Sequence, residues 1–308
     1  MDGKQRWNTV YRMVQQVART WPKVAPRRGA PDTFTVAEIA LIWLWIAFHN
    51  WPRSVGVVRL RSRQEFLSWQ RNGWCLLPPE RIPHETTVKK RAERQDFQAF
   101  LQAIHQRLEK QLAPKTACCL LDSTPLPVGP HSHDADARWG HHRLRGYRWH
   151  TLISVDRVIL AGEVAPANVH ELAVAPRLLR QLAQRGTSVQ WIPADQGYDS
   201  EGLHEEVVLQ LGARLVAPLN DRGGRRTMRR TPHRARLNSD WNRPMIRRIY
   251  GQRGEIDRMY SVLKCSRYGL WALPPWVRHL GNVDRWVQLK QLLYHAEQLN
   301  LKQKKIAA

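Results

Sequence analysis

The sequence predicts an α/β protein: a mixed five-stranded sheet flanked by helices, preceded by an all-helical region. Three observations carry that reading. Up to about Lys115, apolar residues recur at helical spacing between prolines. From Thr116 onward, apolar runs of strand length appear, bounded by polar turns. Those runs alternate with capped helical stretches in the order strand, strand, strand, helix, strand, helix, strand.

The helical region covers residues 1–115. Thr35-Val36-Ala37-Glu38 is a capping box ahead of the buried helix IALIWLWIAF. Gln64–Gln70 and Gln95–Gln111 follow, the latter with Phe97, Phe100, Leu101, Ile104 and Leu108 on one side. Pro22, Pro26, Pro31, Pro52, Pro78, Pro79 and Pro83 punctuate these helices. Pro83–Arg94, PHETTVKKRAER, reads as a short helix with a basic exposed side. As a recognition helix it turns Thr86, Lys89, Lys90 and Arg91 toward DNA; as a bundle helix it turns them to water.

Charge favours the first alternative. The chain carries 49 Lys and Arg against 26 Asp and Glu, a net +23. Such an excess repels itself unless a polyanion is bound, so nucleic acid is the first candidate partner and acidic membrane the second. A hydrophobic fraction of 43% and 14 Trp exclude a disordered chain. The longest apolar stretch, Ile39–Phe48, has ten residues, about half of what a bilayer requires. MDGKQRWNTV lacks the apolar core of a signal peptide. Cys75, Cys118, Cys119 and Cys265 show no CxxC spacing and read as reduced cytosolic thiols packed as small hydrophobes.

The first strand, TACCLLDSTPL, gives way to polar residues at Asp122. Gly146–Val155 and Val158–Ala165 then read as a hairpin turned on Asp156-Arg157. The loop before it holds His131, His133, His141 and His142, whose spacing matches no zinc pattern; a basic loop facing DNA is the better reading. Asn168-Val169-His170-Glu171 caps the next helix, in which Pro176 marks a kink or the true first turn. Val189–Pro193 is a short buried strand with Asp195 at its end. Gly197 allows a tight backbone beside it, and Asp199 or Ser200 caps the helix Glu201–Leu211. Ala213–Leu219 is the fifth strand. Residues 220–248 then carry ten arginines and read as an Arg-rich insertion that contacts DNA, with Arg225, Arg226, Arg229 and Arg230 at its centre.

Tyr250–Lys264, YGQRGEIDRMYSVLK, aligns Tyr250, Arg253, Asp257 and Lys264 at roughly 0, 300, 340 and 320° around a helix. If the strands of Asp122 and Asp195 are parallel neighbours, both carboxylates emerge at one end of the sheet. The helix bearing Asp257 can cross that end. Three acids together repel and raise one another's pKa, and two divalent ions with a taste for hard oxygen, Mg²⁺ or Mn²⁺, relieve this. Trp286, Leu289, Leu293 and Leu299 belong to a closing helix that ends the 116–299 domain, and residues 300–308 form a frayed basic tail.

The stretches LLDSTPL, GYRWHTLISV, APANVHE, ADQGYDS and YGQRGEIDRMYSVLK together resemble the DDE transposases of bacterial insertion sequences, whose catalytic core is RNase H-like. The likeness spans about Ala117–Leu299. The last stretch is similar to the Tyr-Arg-Glu-Lys signature of groups four and five and carries over as Tyr250, Arg253, Asp257 and Lys264. One departure stands out: the third acid is Asp257 rather than glutamate. Glu255 is the alternative, but it points about 200° away from Asp257 on a helix.

The resemblance implies metal-dependent cleavage and strand transfer at transposon ends. On this resemblance Asp122 would bridge two Mg²⁺ or Mn²⁺ ions, Asp195 would hold one and Asp257 the other. Arg253 and Lys264 would bind phosphates, and Tyr250 would orient the helix or DNA. It further implies double-stranded DNA as transposon end and target, a homodimer on paired ends, and a bacterial nucleoid-associated location without a membrane. A nuclease without strand transfer, or a non-catalytic DNA binder of transposase descent, would share parts of this pattern.

Overall fold

A computed structural model describes residues 3–22, 33–140, 143–220 and 231–307. The chain divides into two compact units: Met1–Leu112 with Arg285–Ala308, and Ala113–Asp284.

The first unit is helical: Gly3–Thr20, Val36–Phe48, Arg53–Leu60, Arg63–Arg71, Glu85–Ala92, Gln95–Leu112 and most of Leu280–Ala307. Its core is a cluster of edge-on aromatic rings, with Trp7 centred 4.5 Å from Trp45 and 5.5 Å from Trp69. The capping box is formed: Thr35 accepts from the Glu38 N–H, and Glu38 accepts from the Thr35 N–H. The other end of that helix carries no cation of its own. Lys290, fully buried, donates to the Ala47 carbonyl and to Asn50 instead, and burial holds its pKa well below the usual lysine range. Residues 285–299, expected to close the other domain, thus pack with these helices. The expected frayed tail is helical through Ala307. Pro26 and Pro31 lie outside the described residues.

The second unit is mixed α/β. Strands β1 (Cys119–Pro127), β3 (Arg145–Ser154) and β4 (Ile159–Pro166) pair antiparallel, with β1 and β4 on either side of β3. The short β2 (Arg138–Trp139), which the sequence pattern did not reveal, pairs with β3 at Gly146 and Arg145. β5 (Trp191–Pro193) and β6 (Arg214–Val216) form a parallel pair. The ladders therefore make a four-stranded and a two-stranded sheet rather than one sheet of five. Two isolated parallel bridges, Cys118 to Trp191 and Leu121 to Ala194, join β1 to β5.

β1 does not stop at Asp122. It continues to Pro127, because β3 stays paired along its full length, with Asp122 opposite Thr151 and Pro127 opposite Gly146. Past Leu121 no described strand lies on the other edge of β1, so Pro125 and Pro127 forfeit no ladder bond there. Gly146 is obligatory at that crossing. It has φ +153°, and a Cβ on it would stand 2.3 Å from the Leu126 carbonyl oxygen.

The β3–β4 turn holds three residues, not two. Ser154 and Val158 pair through Ser154 N–H to Val158 O at 2.9 Å, leaving Val155, Asp156 and Arg157 as the loop. Arg157 takes the left-handed conformation at φ 66°, which closes such a loop.

Helix Glu171–Ala183 is capped by His170 Nδ1 accepting from the Leu172 N–H, not by Asn168. Pro176 lies inside it. Ser200 caps Glu201–Leu211, and Gly212 ends it at φ 62°.

The described part of the Arg-rich stretch is also helical. Pro232 and Pro244 each stand in the first turn of a helix, Pro232–Asp240 and Pro244–Gly251, where a missing N–H costs nothing. Leu237, Ile246 and Ile249 anchor both to Val216. Arg225, Arg226, Arg229 and Arg230 lie outside the described residues, as do His141 and His142.

Candidate active site

The predicted helix Tyr250–Lys264 is two helices. Pro244–Gly251 ends, Gln252 and Arg253 turn, and Gly254–Lys264 begins with Arg253 as its N-cap. The weak helix formers Gly251 and Gly254 flank the break. Tyr250 therefore belongs to the first of the two helices, still near enough to Arg253 to add to the upward pull on its pKa. Its ring packs with Val216, Leu237, Ile246 and Ile249, 5.1 Å from the Trp241 ring.

The remaining stripe is intact: Arg253, Asp257, Tyr260 and Lys264 recur at offsets of four, three and four. Ile256, Met259 and Leu263 beside it are buried. Tyr260, which the spacing of the sequence did not single out, is the link to the strand. Its hydroxyl donates to the Asp122 carbonyl at 3.1 Å and lies 2.7 Å from Thr151 Oγ1. Since Thr151 faces Asp122 across the ladder, the helix covers the side of β1 on which Asp122 projects.

Asp122 and Asp195 meet. The parallel bridge Leu121–Ala194 makes them the residues that follow its two members, Asp122 within β1 and Asp195 just past β5. One guanidinium reaches both: Arg253 Nη2 is 3.2 Å from Asp122 Oδ2, and Arg253 Nη1 is 3.6 Å from Asp195 Oδ1. Each carboxylate also accepts from the following backbone N–H, Ser123 or Gln196, at 2.8 Å.

Their surroundings differ. Asp122 is buried, and burial pushes its pKa up to about 6 despite the opposing pull of Arg253 and Ser123. Asp195 stands exposed at the rim. Burial works against the charge on Arg253, but Asp122 and Asp195 outweigh it and drive its pKa up. Lys264 is pulled down by burial, with Asp122 opposing. Arg253 and Tyr260 thus touch Asp122, and Lys264 feels its field.

Asp257 shares their stripe and is exposed, with no cation paired to its carboxylate among the described residues. Glu255 is engaged elsewhere, with Arg157 of the β3–β4 turn at 3.7 Å and with Arg258.

Asp134, Asp136 and His279 form a second cluster, with ligand atoms within 4.8 Å of one another. Its acids already have work. Asp134 accepts from the His279 N–H and from Tyr147 Oη, and Asp136 accepts from the Leu280 N–H, so together they cap the C-terminal helix. The paired aspartates of HSHDAD were the only trace of this in the sequence.

On helix Glu85–Ala92, Thr86, Lys89 and Lys90 are exposed. Arg91 is buried, donating to the Phe34 carbonyl at 3.1 Å and lying 3.9 Å from Asp96, so it does not share their face. Cys75 and Cys265 are exposed rather than packed. No helix among the described residues is long and apolar enough to cross a membrane.

The transposase DDE domain family matches residues 113–274, more than half of the chain. No curated protein matches the sequence. Among solved structures, the chain is similar to a piggyBac transposase in a synaptic complex with hairpin DNA, at 10% identity and a TM-score of 0.46 over 95% of this chain and 72% of that one. With the matched region enclosing both strands that bring Asp122 and Asp195 together and the helix that covers them, the chain belongs to the transposase DDE domain family.

Proposed function

We propose that the chain is an insertion-sequence transposase that cleaves DNA at transposon ends and joins the strands to a target. The supporting observation is the approach of Asp122 and Asp195 to a single cation, Arg253. Two hard carboxylates already sharing a positive centre are a donor set that suits Mg²⁺ or Mn²⁺. In this reading Asp122 and Asp195 hold the metal from the strands, and Asp257 contributes from the covering helix. A pair of such ions held there would supply activation of a water or 3′-hydroxyl and stabilisation of the leaving oxygen in an in-line displacement at phosphorus.

The chain's own residues prepare the site. Ser123 and Tyr260 fix Asp122 from its backbone neighbour and its carbonyl, so the carboxylate is oriented before substrate arrives. Asp195 and Asp257 are exposed, leaving an edge that a duplex can approach. Lys264 and Arg253 offer cations to the phosphates flanking the scissile bond. We read β4–β3–β1 and the adjoining β5–β6 as the RNase H-like core of this enzyme, and helix Glu85–Ala92 with the basic stretch 220–248 as its DNA contacts. Paired ends call for a homodimer.

Asp122→Asn and Asp195→Asn should abolish Mg²⁺-dependent cleavage of end-containing DNA while leaving DNA binding close to wild type. An equal loss of binding would make the acids structural. Cleavage without joining in the wild type would reduce the enzyme to a nuclease.

A further inference from the structure

Arg253 stands where a metal reading of Asp122 and Asp195 would put positive charge. Its contacts of 3.2 and 3.6 Å are longer than the roughly 2.7–2.9 Å of a tight guanidinium–carboxylate pair. Its Nε is buried and finds no acceptor among the described residues. The guanidinium therefore neutralises both acids without being well satisfied by either, as a displaceable ion would. It is also placed for movement. Arg253 lies in the turn between two helices, and the glycines on either side, Gly251 and Gly254, have open space around their Cα hydrogens.

We infer that Arg253 is a built-in counter-cation of the acid pair, which a divalent ion must displace before it binds Asp122 and Asp195. The inference rests on the proposed metal role of those two acids. In the metal-free protein the guanidinium relieves the repulsion between the carboxylates and keeps them at one rim. A divalent ion, with the higher charge and preference for carboxylate oxygen, takes over that task and expels the guanidinium. Arg253 then carries a free charge at the edge of the site. Metal loading would convert an internal ion pair into a phosphate-binding arm, so ion and DNA would promote each other's binding.

The test is Mn²⁺ binding to the full-length protein without DNA, followed by electron paramagnetic resonance at pH 8, where Asp122 is ionised. Arg253→Gln, which keeps polarity and removes the charge, should bind Mn²⁺ about ten- to a hundredfold more tightly than wild type, the range for loss of one charge-assisted contact. Arg253→Lys, a point charge unable to span both acids, should fall between them and serves as the reading if the glutamine variant does not fold. Affinity unchanged or weakened in the variants, with Mn²⁺ still bound by wild type, overturns the displacement while the metal role of the acids stands. Mn²⁺ bound by none of the proteins, or bound undiminished by Asp122→Asn, overturns that metal role and the inference with it.

Discussion

Leu121 and Ala194 bridge β1 and β5 in parallel, and the residue that follows each of them is an aspartate. Both members of the bridge are fully buried. Because side chains alternate across a strand, the step from Leu121 to Asp122 turns from the apolar interior to the face covered by Gly254–Lys264. A one-residue slip of β1 against β3 would put Asp122 on the wrong side. The register Asp122–Thr151, fastened by Tyr260 to both residues, prevents it.

Burial of Asp122 sets a pH dependence of stability. Its folded pKa of about 6 lies above the ordinary 3.8, so the fold favours the protonated form. That contribution is fully present below about pH 3.8 and is lost as pH rises through about 6. The elevation corresponds to about 3 kcal/mol against the ionised fold. Metal-free Asp122→Asn should therefore melt at a higher temperature than wild type at pH 8, and the advantage should vanish below about pH 4. Melting curves across that range decide it; a variant less stable at pH 8 would mean that Arg253 makes the ionised acid favourable.

Asp257 and Glu255 can be separated by single substitutions. Asp257→Ala should eliminate cleavage with little change in melting temperature, since its carboxylate is exposed and carries no ion pair among the described residues. Glu255→Ala should retain cleavage and lose at most about 1 kcal/mol with the Arg157 and Arg258 contacts. The reverse pattern would transfer the third acid to Glu255.

Salt dependence of DNA affinity distinguishes contact from structure on helix Glu85–Ala92. Replacing Lys89 and Lys90 by Ala should lower the slope of log affinity against log salt by about 1.8, at about 0.9 per phosphate contact. Arg91→Ala should leave the slope alone and cost about 1–3 kcal/mol of stability, because it removes the buried partner of Phe34 and Asp96. Arg225, Arg226, Arg229 and Arg230 replaced together should flatten the slope further, by about 3.6 if each meets a phosphate. A slope that stays put would exclude the corresponding residues from DNA.

Local chemistry was legible where local physics governs it. The Thr35–Glu38 capping box, the apolar side of Gln95–Leu112 and the β3–β4 pairing follow from neighbours a few residues apart and form, the hairpin on a three-residue turn instead of two. The stripe Arg253, Asp257, Lys264 likewise depends on helical period alone. Errors arose where a distant element intervened. β1 extends past Asp122 because β3 accompanies it, and Arg91 turns inward because Phe34 and Asp96 receive it. Two helices form within the Arg-rich insertion after Thr231 because Val216 offers Leu237, Ile246 and Ile249 a surface.

The sequence by itself determined the acids, the cations and the spacing that could align them on one helix. Only the tertiary structure decided that Asp122 and Asp195 are neighbours, that Arg253 joins them, and that Tyr250 packs against Val216, Leu237, Ile246 and Ile249 from a separate helix. The physical reason is one of range. Helical period and capping act over a few residues, whereas the meeting of Asp122 with Asp195 depends on a strand bridge between segments more than seventy positions apart in the chain.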